Sequence, residues 1–480
     1  MISFEHYRNH DALGLAELVA KGEVTSKELL DTAIACLEEV NPRINAIAQL
    51  AVDAAMATID HGVPAGPFRG VPFLLKDLGA AAIDVPSHLG SRLFANTRYD
   101  VDSELVRRLK RAGLVIFGRT TTPELGVGPV TEAKVYGGPT RNPWNPDHTA
   151  GGSSGGAAAA VAAGILPAAH GSDGGGSVRI PASSSGLFGL KPTRARMPAG
   201  PLASEGWAGM AIDGFLTRSV RDTAALLDAT AGPDLGAPYW PPPLHSGYMS
   251  AIQRPPARQK IAFSIKSFTG DPVHPDCQAA VDQAVRLLAD LGHHVEEADP
   301  APDFMPMMQT WARIVACGTA LTLRQKVKAR GRDLDPDEIE GVTRGALALA
   351  ETVSGADYLQ AVNQVHRFGR DLARFFQDYD LLVTATLAEP PARIGRFAPD
   401  DEDFLDHRLG PSGVLPYSPF TPAFNASGQP AMSVPLHWNA AGLPIGVHIA
   451  GRFGADESLI ALAAELEAAA PWFDRRPPID

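Results

Sequence analysis

Cysteine is scarce in this chain of 480 residues. The three present, Cys36, Cys277 and Cys317, lie far apart and form no C-x-x-C pair. That leaves no basis for a zinc site or a disulfide framework and fits a reducing, cytoplasmic setting. Basic charge is not in excess either. Forty-two Lys and Arg stand against 54 Asp and Glu, a net charge of −12 with the two signs well mixed. This argues against a nucleic-acid-binding surface and against an anchor on anionic membranes. Long apolar runs are also missing. The most apolar stretch, AAAAVAAGILPAA from Ala157, is too short and too broken by Gly and Pro for a transmembrane helix. The N-terminal MISFEHYRNHDALGLAELVAKGEV lacks a basic segment followed by an apolar one, so no secretory signal is expected. No internal repeat or low-complexity tail is visible. The absences together predict a soluble cytoplasmic protein with no nucleic-acid and no membrane partner.

What is present is enough apolar material for a large core, at 45% hydrophobic and 20% charged residues. Length alone predicts two to four domains. The first segment reads as helical. Leu13, Ala16, Leu18 and Val19 form an apolar face that Gly22 ends, and Thr25 with Glu28 forms a capping box opening a second helix. Cys36 falls on the apolar side of that helix and reads as a small core residue. From Phe68 to Val220 the texture changes. The β-like runs GVPFLLKD, GLVIFGRT, GILPAAHGSD and GLFGLKPT alternate with Gly/Ser/Thr-rich turns and helical stretches such as DVDSELVRRLKRAG, which predicts α/β architecture with functional residues at strand ends. Further on, KIAFSI, DCQAAVDQAVRLLADLG and HHVEEA read as strand, helix and strand. Residues 300–380 read mainly as a helical insertion. YDLLVTATLAEPP and LPIGVHIAG return to strands, and DESLIALAAELEAAAP closes the chain as a helix.

The stretch TAGGSSGGAAAAVAAG, from Thr149 to Gly164, sets two serines between two Gly-Gly pairs. A flexible linker is disfavoured by the run of small apolar residues that follows, which belongs to a tightly packed helix. A Walker-type phosphate loop needs a Gly-Lys-Ser/Thr that is not there, and a dinucleotide fingerprint needs a preceding strand, which TRNPWNPDHTA does not resemble. Gly151, Ser153 and Gly155 satisfy G-x-S-x-G. A nucleophile elbow again requires the preceding strand and a downstream His partner. None of His170, His293, His294 and His448 stands out as that partner. A composite site is the remaining reading. A second Gly/Ser knot, GSDGGGSVRIPASSSG, carries Ser177. Upstream, Lys76 follows the apolar Val71, Phe73, Leu74 and Leu75, either as an ordinary strand-end lysine with a buried stem or as a lysine enclosed for a purpose.

Taken together, Lys76 in GVPFLLKD, Ser153 in GGSSGG and Ser177 in GSDGGGSVRIPA, followed by GLFGLKPT, resemble the amidase signature family. Weaker similarity extends to TRNPWNP and FNASGQPAMSVP. SVRIPAS, LPIGVHIAG and the PWFDRRP tail resemble the branch of bacterial hydrolases acting on 6-aminohexanoate cyclic dimer. The resemblance implies one α/β domain over residues 1–480, a central mixed β-sheet flanked by α-helices, with 68–220 as its signature core and 300–380 as a helical insertion. It implies a Ser–cis-Ser–Lys triad: Ser177 as nucleophile, Ser153 as bridge after a cis Gly152–Ser153 peptide, and Lys76 as base. Such a base must be neutral, and apolar surroundings favour that form. Backbone N–H groups of Gly174, Gly175, Gly176 and Ser177 would form the oxyanion hole. Asp173 and Ser172 would hold the loop, Ser154 the Lys–Ser network, and Arg179 would pair with an acidic group behind the site. Gly126 would bind the substrate amide. Cys317 is expected in the pocket or in buried core, and Asn425 in the pocket or in loop structure. Two departures from the commonest family form stand out: Gly174 where threonine is usual, and ASSSG where many relatives carry cysteine before the glycine.

The implied activity is hydrolysis of small-molecule amides, with carbamates, anilides and esters as further substrates, and with no metal or cofactor. Two alternatives are an amidase subunit of a tRNA-dependent amidotransferase, which usually has Gln where Ile180 precedes Pro181, and a non-catalytic Gly-loop nucleotide binder.

Overall fold

A computed structural model describes residues 2–478. Its centre is a mixed eight-stranded sheet in the spatial order His294–Glu297, Lys260–Phe263, Leu381–Ala385, Pro444–Gly451, Ala431–Trp438, Phe188–Lys191, Ile212–Thr217, Ala168–Asp173. The first three strands run parallel and the remaining pairings are antiparallel. Helices cover it, which makes the protein α/β. A second sheet of three strands places Val115–Thr120 between Ile47–Leu50 and Pro72–Lys76. The two sheets meet where Pro72–Lys76 lies beside Ala168–Asp173, and there the Lys76 N–H donates to His170 Nδ1 at 3.2 Å.

Local chemistry accounts for much of this. Thr25 and Glu28 form the expected reciprocal capping box at the start of Ser26–Ile44, and Gly22 adopts φ 73° just past Ala12–Ala20. Pro72–Lys76 and Val115–Thr120 are buried at every position, which is why they read as continuous apolar runs. The helix Gly155–Ala162 is buried on all sides. A Cβ on Gly156 would stand 2.4 Å from the Thr121 nitrogen, so its small residues are what admit it to the interior. One expectation needs correction. TRNPWNPDHTA contains a two-stranded ribbon, Arg141–Asn142 with Asn145–Thr149. It precedes the Gly/Ser turn but belongs to neither large sheet, and so does not build the strand–turn–helix of a nucleophile elbow.

Residues 300–380 are mainly helical, with Phe304–Arg330, Gly341–Glu351 and Gly355–Asp378 packed around their own apolar cluster of Met307, Trp311, Val315, Val365 and Phe368. Cys36 and Cys277 are buried. Among the described residues no helix is long and apolar enough to cross a membrane.

Arg119 latches the segment that leaves Lys76. Fully buried, it donates to the carbonyls of Lys76 (2.9 Å), Ala80 (3.0 Å), Val85 (3.1 Å) and Pro86 (2.7 Å). Arg119→Met is expected to cost about 3 kcal/mol or more, because it leaves several buried carbonyls unpaired. Urea denaturation measures this, and a loss under about 1 kcal/mol would show that water or relaxation replaces the latch.

Candidate active site

Lys76 ends its strand with no solvent exposure, and its amine reaches the first Gly/Ser knot. Nζ stands 2.6 Å from Ser153 Oγ, 3.0 Å from Ser172 Oγ and 3.4 Å from the Ser172 carbonyl. Burial strips the ammonium of water and lowers the amine to about 7, against the opposing pull of the Asp173 and Asp213 carboxylates. The Gly152–Ser153 peptide is cis. A Cβ on Gly152 would lie 2.6 Å from the Val130 nitrogen, so this position accepts no larger residue without a shift. Ser154 Oγ lies 3.2 Å from the Ser172 nitrogen, which donates to it, and 3.3 Å from the Ser172 carbonyl, while the Ser154 N–H donates to the Ser177 carbonyl at 3.3 Å. The two knots are thereby joined backbone to backbone. Ser185 adds a tie from its hydroxyl to the Ala150 carbonyl at 3.3 Å.

The second knot turns around Asp173. This fully buried carboxylate accepts from the N–H groups of Gly176 (2.7 Å) and Val178 (3.2 Å), from Arg179 Nε (3.0 Å) and Nη2 (2.9 Å), and from Asn425 Nδ2 (2.9 Å). Burial alone would raise its pKa; the Arg179 charge and the hydrogen bonds of Arg179 and Asn425 outweigh that and hold it well below the usual carboxylate range. Arg179 is the expected partner of an acidic group behind the site, and that group is Asp173. Gly176 has φ 124°, open to glycine. Its N–H is already committed to Asp173, so it is not free for an oxyanion. The N–H groups of Gly174, Gly175 and Ser177 have no acceptor among the described residues.

Ser153, Ser172, Gly174, Ser177 and Gly126 share the wall of one cavity of about 670 Å³. Two other expectations are corrected. Asn425 lines no cavity wall. It is 1% exposed and its amide is consumed by Asp173, Arg179 and the Met210 carbonyl, so it is a support of the loop. Cys317 is half-buried among the helices, and it is Gly318, Thr319 and Thr322 of the same helix that reach the cavity. Successive helical residues point about 100° apart, which turns Cys317 away from the wall that Gly318 presents.

Sequence reasoning missed three contributors. His170 accepts the Lys76 N–H and holds Asp213 at 3.0 Å through Nε2; its two-residue spacing from Ser172 on one strand placed it on the same face. Trp207 and Trp311 stand edge to face, 6.0 Å between centroids, against the glycine loop. A Cβ on Gly174 would come within 2.5 Å of Trp207, and one on Gly175 within 2.9 Å of Trp311. The missing side chain at Gly174 is therefore the space that Trp207 needs. Among the described residues no cluster of three or more His, Cys, Asp or Glu is placed to hold a metal ion.

Residues 28–460 match the amidase family. Over 477 residues the chain is 38% identical to the 6-aminohexanoate-cyclic-dimer hydrolase of Paenarthrobacter ureafaciens, covering 97% of this chain and 96% of that protein. A solved structure of 6-aminohexanoate cyclic dimer hydrolase complexed with substrate superposes with a TM-score of 0.91 at 36% identity, over 98% of this chain and 99% of the other. A bacterial aryl acylamidase of the amidase signature enzymes superposes with a TM-score of 0.86 at 30% identity, over 97% and 98% of the two chains. The chain therefore belongs to the amidase signature family and is an amide-cleaving hydrolase.

Proposed function

We propose that this hydrolase cleaves the C–N bond of small-molecule amides through Ser177, Ser153 and Lys76 and an acyl-enzyme, with carbamates, anilides and esters as further substrates. The observation that carries this reading is a lysine amine, buried and lowered to about 7, standing 2.6 Å from Ser153 Oγ on the cavity wall that Ser177 shares. A serine hydroxyl attacks only when a base takes its proton. Neutral Lys76 takes the Ser153 proton as Ser153 takes that of Ser177. Ser177 Oγ bonds to the carbonyl carbon, and the oxyanion meets the uncommitted N–H groups of Gly174, Gly175 and Ser177. The relay then returns its proton to the nitrogen, the C–N bond breaks and the amine leaves. Water, deprotonated by the same relay, adds to the acyl carbon and releases Ser177 with the acid. The 68–220 core supplies this machinery and the 300–380 helices close the cavity, as parts of one amidase domain working in the cytoplasm. The names of the relatives, a cyclic-dimer hydrolase and an aryl acylamidase, support linear, cyclic and aryl amides as the substrate range.

Three outcomes test this. Ser177→Ala is expected to lower kcat/KM on an aryl amide by at least about a thousandfold, with Ser153→Ala and Lys76→Ala reduced on a similar scale, since members of one relay are not additive. Full activity in Ser177→Ala ends the reading. For wild type, kcat/KM should rise with pH through about 7, because only neutral Lys76 accepts a proton; a profile falling between pH 6 and 8 contradicts it. The same group sets a stability trend. Its amine titrates near 7 when folded and near 10.5 when unfolded, so between those values the unfolded chain binds more protons and stability rises with pH. Lys76→Met removes that penalty. Its gain in melting temperature over wild type should be larger at pH 6 than at pH 10, and a gain independent of pH would place the ammonium in a solvated setting.

A further inference from the structure

A second, smaller chamber of about 40 Å³ adjoins the other side of Ser177. Gly126 and Ser177 line both spaces, so a carbonyl held at Ser177 has the large cavity on one side and the small chamber on the other. The two differ in size and in the burial of their walls. The large cavity runs out past Leu202, Leu235 and Tyr239, which are 59%, 104% and 58% exposed. The small chamber is walled by Ile180, Met308, Trp311 and Leu415, all buried. An amine product must depart while the acyl group stays on the enzyme. The open cavity therefore suits the amine half, and the enclosed chamber suits the acyl half.

One wall of the chamber is Arg408. It is 4% exposed, and among the described residues no hydrogen bond leaves any of its nitrogens; Nε and Nη2 are shielded from solvent without a partner. Among the described residues no carboxylate lines the chamber. Asp401 is engaged with His407 at 3.4 Å. Burial lowers the guanidinium to about 10 and no charged neighbour adds to the shift, so the group is a cation at neutral pH. Its Cζ lies over two rings, 5.7 Å from the Trp311 centroid and 5.3 Å from the Phe404 centroid. Cation–π contacts of that kind use none of the N–H donors, and with Nε and Nη2 sealed off it is Nη1 that a ligand in the chamber meets first. A buried cation whose donors find no acceptor is costly, and an anionic ligand is the chemistry that satisfies it.

We propose that Arg408 makes the small chamber a carboxylate subsite, so that the enzyme prefers amides of short dicarboxylic acids, with the free carboxylate of the acyl half on the guanidinium. About 10–15 Å³ of such space holds one water, so the chamber takes about three to four heavy atoms: the carboxylate and the methylene next to it, with the methylene beside the scissile carbonyl lying at Ser177 itself. The proposal rests on Ser177 as the attacking residue.

The test pairs two p-nitroanilides, succinyl and butyryl, which differ chiefly in the terminal carboxylate. Wild type is expected to favour the succinyl compound by at least about tenfold in kcat/KM, the scale of a hydrogen bond to a charged group. Arg408→Met should bring the ratio to one or below, and Arg408→Lys should keep part of it. A wild-type ratio of one or less, or an unchanged ratio in Arg408→Met, overturns the proposal. Should Arg408→Met not fold, the wild-type ratio and Arg408→Lys decide. Calorimetric titration with succinate and butyrate needs no turnover: succinate should bind wild type at least about tenfold more tightly than Arg408→Met, and butyrate should not discriminate. Arg408-dependent succinate binding without hydrolysis of either anilide would leave the subsite standing and end the Ser177 reading. Hydrolysis of both anilides at equal rates, without succinate binding, would do the reverse.

Discussion

The buried pair of Asp173 and Arg179 is the constraint on which the site depends. Neither side chain touches solvent, so each charge must be met inside the protein. Asp173 meets its own with two backbone N–H groups, Arg179 and Asn425. Arg179 spends its remaining donors on Asn425 Oδ1, the Thr421 carbonyl and His448. These partners come from the strand Pro444–Gly451 and from the short helix Pro422–Ser427 with the residue before it. The glycine turn is thus bolted to the central sheet at its back. Its front is left with N–H groups that face the cavity, and a loop with three adjacent glycines keeps one conformation despite their freedom.

The same pair bears on Lys76. A lone carboxylate at Asp173 would hold the amine protonated; with Arg179 against it, the field reaching Lys76 is that of a compensated pair. Desolvation then outweighs the residual pull of Asp173 and Asp213. Arg179 and the buried amines of Lys76 and Lys191 all feel the one carboxylate of Asp173, and burial lowers both amines to about 7. Asp173 is given to the arginine, which cannot lose its proton, and Lys76, which can, is left to two serines.

The readable parts of the sequence were those whose chemistry is local. The capping box at Thr25, the buried strands around Lys76 and Thr120, and the Gly/Ser knots each occupy under a dozen residues. The strands Ile212–Thr217 and Ala431–Trp438 were missed because Gly214 and Pro435 interrupt their patterns. Pro435 sits where the register shifts between Val434 and His437, a tolerated place for a residue with no N–H. Asn425 was read as a pocket residue because its partners Asp173 and Arg179 lie about 250 positions away, and no spacing rule spans that distance. Cys317, read as pocket or buried core, packs against the helical apolar cluster and misses the cavity wall by one residue of helical phase.

Trp207, Trp311 and Arg408 escaped notice for the same long-range reason, and they shape what the glycine loop accepts. Trp311 donates its indole N–H to the Gly174 carbonyl at 3.2 Å while Trp207 fills the space a side chain at position 174 would need. Gly318 in turn has no side chain because Trp207 lies against it, 2.6 Å from where a Cβ would be. The three positions form one steric unit: glycine at 174, glycine at 318 and tryptophan at 207 presuppose one another, and restoring threonine at 174 alone would push the indole into the cavity. This wedge of two indoles stands between the open and the enclosed space beside Ser177, since Trp207 borders both and Trp311 only the smaller. The relay proposed for Lys76, Ser153 and Ser177 would itself be indifferent to which amide arrives. Selection therefore falls to the aromatic wedge and to the chamber beside it, and Arg408, its Cζ over the Trp311 ring and no acid in the same wall, is the charge found there.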